Sequence, residues 1–102
     1  MKLEHYPLEK LKKEILKIVV KYFDTNEYRV FFFGSRVKGD NFSRSDIDIG
    51  IEGPKEISAI FKLEIEEELE KLPLLYKIDL VDFRGVSDKF KNMALRHIEI
   101  IS

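Results

Sequence analysis

Asp46 and Asp48 flank a single isoleucine, and a third aspartate, Asp79, sits in a similar alternation, Lys77-Ile78-Asp79-Leu80-Val81-Asp82. Two residues apart on a β-strand, Asp46 and Asp48 would have Cα atoms about 6.5 to 7 Å apart and side chains on one face. At about 6 Å their repulsion in water is only on the order of 1 kcal/mol, growing with burial, so the pair is tolerable and a cation makes it favourable. Magnesium takes oxygen ligands at about 2.0 to 2.1 Å, and two-metal sites hold their ions about 3.5 to 4 Å apart. A bridging aspartate pair with a third carboxylate from a neighbouring strand meets those distances, and Asp79 is the candidate for the third position. Taken alone, the alternation is equally what any strand with one solvent-facing side displays.

Gly34-Ser35 closes an apolar run, and a strand that ends in glycine and passes into a turn leaves backbone N–H groups free to bind phosphate oxygens. An ordinary strand-ending turn has the same composition. Arg36, Lys38 and Arg44 lie between the Gly-Ser and the aspartate pair, where they could balance the charge of a triphosphate. Asp40 belongs to a turn-rich stretch, and Asp82 should face away from Asp79; both read as structural.

Helix and strand periodicities supply the frame. Leu8, Leu11, Ile15, Ile18, Val19 and Tyr22 recur at helical spacing behind Pro7. Tyr28 to Phe33 is a β-branched and aromatic run, apolar on both faces, which predicts a central strand. Arg36 to Ser45 leaves room for a short helix and a loop, and Ile47, Ile49 and Ile51 then mark a strand with one core face. Gly53-Pro54 ends it. Ile57, Ile60, Phe61, Ile65, Leu69 and Leu72 predict a second long helix with an acidic run, Glu66-Glu67-Glu68, in solvent, stopped by Pro73. Tyr76 to Phe83 predicts a third strand, and Ser87 caps a last helix carrying Phe90, Met93, Ala94 and Ile98. The order helix, strand, strand, helix, strand, helix predicts an α+β fold, a small mixed sheet with helices packed on one face, in a single domain over residues 1–102.

Of 102 residues, 18 are Lys or Arg and 19 are Asp or Glu, for a formal charge of -1 with 44% apolar content. The balance argues against a polynucleotide binder, whose affinity rests on clustered cations. There is no cysteine, hence no disulfide framework and no thiolate metal site. The N-terminus lacks the apolar core of a signal peptide and no apolar run is long enough to span a membrane, so a soluble, cytoplasmic protein is expected. His5 and His97 lie remote in sequence from the aspartates and receive no catalytic role. Phe31, Phe32 and Phe33 read as core rather than a base-stacking platform. Tyr6, Tyr22 and Phe42 could belong to a partner surface or to ordinary packing.

Gly34-Ser35-Arg36-Val37-Lys38-Gly39, followed after a spacer by Ser45-Asp46-Ile47-Asp48-Ile49 and later by Asp79, resembles the nucleotidyltransferases of the DNA polymerase β superfamily. Within it, the chain is most similar to the minimal nucleotidyltransferases often encoded beside a HEPN-domain protein. The resemblance implies a polymerase β-like fold in which Gly34 and Ser35 hold the β- and γ-phosphates of ATP and Arg36 contacts the phosphates. It implies that Asp46 and Asp48 bind two magnesium ions and that Asp79 completes the catalytic metal site. The reaction it implies is transfer of AMP to a hydroxyl, namely a tyrosine of a HEPN toxin, with this chain as the antitoxin. A contact-only antitoxin that neutralises its partner without chemistry is the alternative, and a homodimer is compatible with either. The short chain is expected to lack an acceptor-binding domain, so the acceptor must be brought by the partner.

Overall fold

The computed structural model describes residues 1, 3, 6–34, 37 and 46–102. Helix α1 (Leu8–Val19) starts after Pro7, whose carbonyl accepts from Leu11 N–H at 3.1 Å, and it buries Leu11, Ile15, Ile18 and Val19. Strand β1 (Arg29–Phe33) runs antiparallel to β2 (Ile47–Glu52). Helix α2 (Ala59–Glu70) follows, with the Ser58 hydroxyl accepting from Phe61 N–H, and leads to β3 (Ile78–Asp82), which pairs parallel to β2. Helix α3 (Asp88–Ala94) is capped by Ser87 as expected, and β4 (Glu99–Ile100) then pairs antiparallel to β1.

The sheet order is β3-β2-β1-β4, a mixed four-stranded sheet with β1 and β2 inside. Period-two alternation sends Val30, Phe32, Ile47, Ile49, Ile51 and Leu80 to one face, where they pack with Leu11, Ile15, Val19, Ile65 and Leu69 of α1 and α2. The two long helices therefore cover one face, but the expectation that all helices pack there fails for α3, whose Phe90 and Ala94 pack on the other because the odd-numbered phenylalanines of β1 leave that face apolar. On the other face Phe31, Phe33 and Phe83 form a second cluster, flanked by Phe90, Ala94, Leu95 and Ile98 from the C-terminal segment. Their rings meet edge to face, Phe83 lying 5.0 Å from both Phe31 and Phe33.

Three details differ from the periodicity reading. β4 has no counterpart in it, because two residues paired to a strand far away in sequence leave no local pattern. Ile98 lies beyond α3, not on it. The apolar positions of α2 do not share one face: Ile65 and Leu69 are buried, whereas Ile60, Phe61 and Leu63 are exposed. Asp82 is structural, as expected, its carboxylate accepting from Ile57 N–H at 2.8 Å and Arg84 N–H at 3.0 Å. Tyr6 and Tyr22 donate hydrogen bonds to Glu14 and Glu68 of this chain. Phe42, Asp40 and His5 lie outside the described residues. No helix among the described residues is long and apolar enough to cross a membrane.

Candidate active site

The strand register places the candidate residues in one row across the sheet. Phe33 of β1 is the Cα partner of Asp48 of β2, and Asp48 is the partner of Asp79 of β3. Partners across a ladder share a face about 4.8 Å apart, so the Asp48 and Asp79 carboxylates stand side by side on the face opposite the long helices. Asp46 immediately precedes β2 and is exposed, anchored by its neighbour Ile47, whose N–H donates to the Lys77 carbonyl at 2.9 Å. The parallel pairing of β2 with β3 thus brings together residues more than thirty positions apart in sequence.

Asp48 is the central group. It is half-buried, and its carboxyl is pushed up to about 6, first by loss of hydration and then by the charges of Asp79 and Asp46. Asp79 is more open; Lys77 Nζ lies 3.7 Å from its Oδ1, a solvent-exposed pair that adds little. Phe33, 6% exposed, is its apolar register partner on β1.

Gly34 ends β1 with φ +87°, a backbone conformation that favours glycine. A Cβ at this position would lie 2.3 Å from Asp48 Oδ2, so the carboxylate occupies the space that a side chain would fill. Glycine suits residue 34 on both counts, and its backbone packs directly beside the Asp48 carboxylate. Ser35 and Arg36, like Lys38 and Arg44, lie outside the described residues.

Periodicity missed one contributor. Gly50 continues the Asp48 face, and a Cβ there would lie 2.5 Å from the Phe31 ring and 2.7 Å from that of Phe83. This glycine lets the aromatic cluster pack flat on β2 next to the carboxylates. A glycine between two isoleucines of a strand is the signal that could have marked a close approach. At the far end of the same face Arg29 Nε and Nη2 donate to Glu52 Oε1 at 2.9 and 2.7 Å, and Lys91 pairs with the other oxygen. These charges offset one another and stand apart from the aspartate row.

Among the described residues no three Asp, Glu or His side chains form a ready-made metal cage. The donor set nonetheless suits a hard divalent cation. It consists of carboxylate oxygens, and the mutual repulsion and drying that raise Asp48 are what a bound cation would relieve.

A mixed sheet carrying a Gly-ended strand and aspartates on two parallel neighbours fits a nucleotidyltransferase scaffold. The chain belongs to the polymerase β nucleotidyltransferase family, whose model matches residues 9–102. It is 28% identical over 75 residues to a Haemophilus influenzae protein named probable protein adenylyltransferase MntA, covering 74% of this chain and 65% of the relative. The chain therefore spans just under two thirds of that curated relative. A toxin-antitoxin structure with AMP-PNP matches with TM-score 0.72 at 23% identity, over 89% of this chain and 72% of the other. A structure of tri-AMPylated Shewanella oneidensis HEPN toxin in complex with MNT antitoxin matches with TM-score 0.68 at 21% identity, over 93% and 72%. At these identities the two structures speak for the fold.

Proposed function

We propose that this chain is a protein adenylyltransferase that moves AMP from ATP to a tyrosine hydroxyl of a HEPN-type toxin and so acts as its antitoxin. The observation that carries the reading is the Phe33-Asp48-Asp79 row with Gly34 against Asp48, in a chain of the nucleotidyltransferase family. The names of the matched proteins, an adenylyltransferase and AMPylated or AMP-PNP-bound toxin-antitoxin complexes, support the choice of ATP and of a toxin partner.

Asp46, Asp48 and Asp79 would hold magnesium, which when bound neutralises negative charge on the triphosphate and on the departing pyrophosphate. The chain's own groups do the rest. Gly34 leaves backbone room for the β- and γ-phosphates, with Ser35 and Arg36 as further donors, so that the triphosphate is held with its α-phosphorus towards the aspartates. The acceptor oxygen attacks that phosphorus, the bond to the bridging oxygen of the β-phosphate breaks, and pyrophosphate leaves. Asp79, the more open carboxylate of the row, would accept the proton of the hydroxyl.

The test is intact-mass analysis of the protein encoded beside this chain's gene after incubation with this protein, ATP and magnesium. A gain of AMP on a tyrosine, lost with Asp48→Asn, is expected. Binding without modification would favour the contact-only antitoxin.

A further inference from the structure

Beside the aspartate row the chain has a groove for which the proposed reaction has so far no use. A cavity of about 310 Å³ lies between the outer strand β3 and the C-terminal half of α2. Leu69, Leu74 and Ile78, on the long-helix face, form its apolar floor and Glu66 and Glu70 its rim, while Asp79 of the edge strand borders it with its carboxylate on the opposite face. Its size is at the lower end of small-molecule pockets, which suits one side chain of a docked segment better than a whole cofactor. Leu75, next to the floor residue Leu74, is 88% exposed, so the apolar surface continues out of the cavity.

Two further features favour a polypeptide. Among the described residues β3 is the outer strand of the sheet. Lys77 accepts from Ile47 N–H and Phe83 N–H donates to Ile51, so the odd-numbered residues of β3 face β2. The N–H and C=O of Ile78 therefore point away from β2, along the side where the groove lies. Second, the charge is one-sided: Glu66, Glu70 and Asp79 against Lys77 leave the groove acidic. An acidic rim around an apolar floor complements a segment whose apolar or aromatic residue is flanked by Lys or Arg.

We infer that this groove is the acceptor-docking subsite: it binds a lysine- or arginine-flanked polypeptide segment, whose hydroxyl reaches Asp79 around the outer edge of β3. The inference rests on the nucleotidyltransferase reading above and adds to it where the acceptor segment docks and which flanking charge it carries. Glu66 and Glu70 are positioning residues for the acceptor, with no contact to the nucleotide required.

The test uses two synthetic peptides, each with one tyrosine, flanked in one by leucine and lysine and in the other by leucine and glutamate. Direct binding to the full chain is read by fluorescence anisotropy, and AMP transfer is read by mass. The lysine peptide should bind and react at least roughly tenfold better than the glutamate peptide, with KM rising as salt is added. Glu66→Lys with Glu70→Lys should raise KM for the lysine peptide by roughly tenfold, largely sparing kcat, and should reverse the preference. The thermal shift caused by magnesium and ATP is measured on the same variant as a check on folding. Equal binding of the two peptides, no binding of either, or an unchanged KM in the folded double variant would overturn the subsite. Charge-dependent binding without AMP transfer would instead support the subsite and refute the adenylyltransferase reading, so the two failures are distinguishable.

Discussion

Replacing Asp48 by Asn should stabilise the ligand-free protein near pH 7.5 and leave it nearly unchanged near pH 4. The carboxyl is pushed from 3.8 to about 6 by loss of hydration and by Asp79 and Asp46. An acid whose folded value lies above its unfolded value binds its proton more tightly in the native state. It costs no stability below about pH 4, and the cost grows as pH rises from 3.8 to about 6, where the unfolded chain ionises and the native group resists. At 1.36 kcal/mol per pH unit the full difference would be about 3 kcal/mol. The group is only half-buried, and solvent screening reduces this to about 1 to 2 kcal/mol. For a domain of this size that corresponds to a rise in Tm of roughly 5 to 10 °C. Urea denaturation of both proteins at a series of pH values measures the difference directly. A variant that is equally stable or less stable at pH 7.5, or a gain that persists undiminished at pH 4, would refute the electrostatic account of the site.

Other substitutions probe the same geometry. Gly34→Ala should cost roughly 1 to 3 kcal/mol, since φ is +87° and the new Cβ would meet Asp48 Oδ2 at 2.3 Å; combining it with Asp48→Ala should recover the steric part, a coupling that a double-mutant cycle reads. Phe83→Ala empties the centre of the aromatic cluster and should lower stability by roughly 3 to 5 kcal/mol in chemical denaturation. Ser87→Ala removes the acceptor for Phe90 N–H at 3.2 Å and should cost about 1 kcal/mol. Magnesium with ATP at about 100 times its dissociation constant should add roughly 2.7 kcal/mol of stability, visible as a raised Tm that weakens as pH falls below about 6, where Asp48 is protonated.

Much of this was legible in the sequence because it follows from short periods. The alternation of Ile47, Ile49 and Ile51 fixes which face Asp48 takes, and Ser58 and Ser87 sit where helices begin. The pairing of β2 with β3 is a tertiary event, yet the shared apolar-polar phase of the two strands foretold that Asp48 and Asp79 would share a face. Other features depend on contacts between distant segments. The face that carries the aspartates reads as polar along β2, but Phe31, Phe33 and Phe83 cover its middle, and only the absence of a side chain at Gly50 makes room for them. The close approach of Gly34 to Asp48 joins the two halves of the motif into one contact, for a spatial reason that spacing alone does not reveal. The acidic groove draws on α2, the turn after it and β3, so no single stretch of sequence displays it.

The most direct measurement of the central claim follows the two ends of the triphosphate separately. The protein, magnesium and the purified product of the adjacent gene are incubated with ATP labelled at the α-phosphate or, in parallel, at the γ-phosphate. Transfer of the α label alone, abolished by Asp48→Asn, is the predicted result. Transfer of the γ label, or of neither label to a partner that this protein binds, would contradict nucleotidyl transfer at the aspartate row.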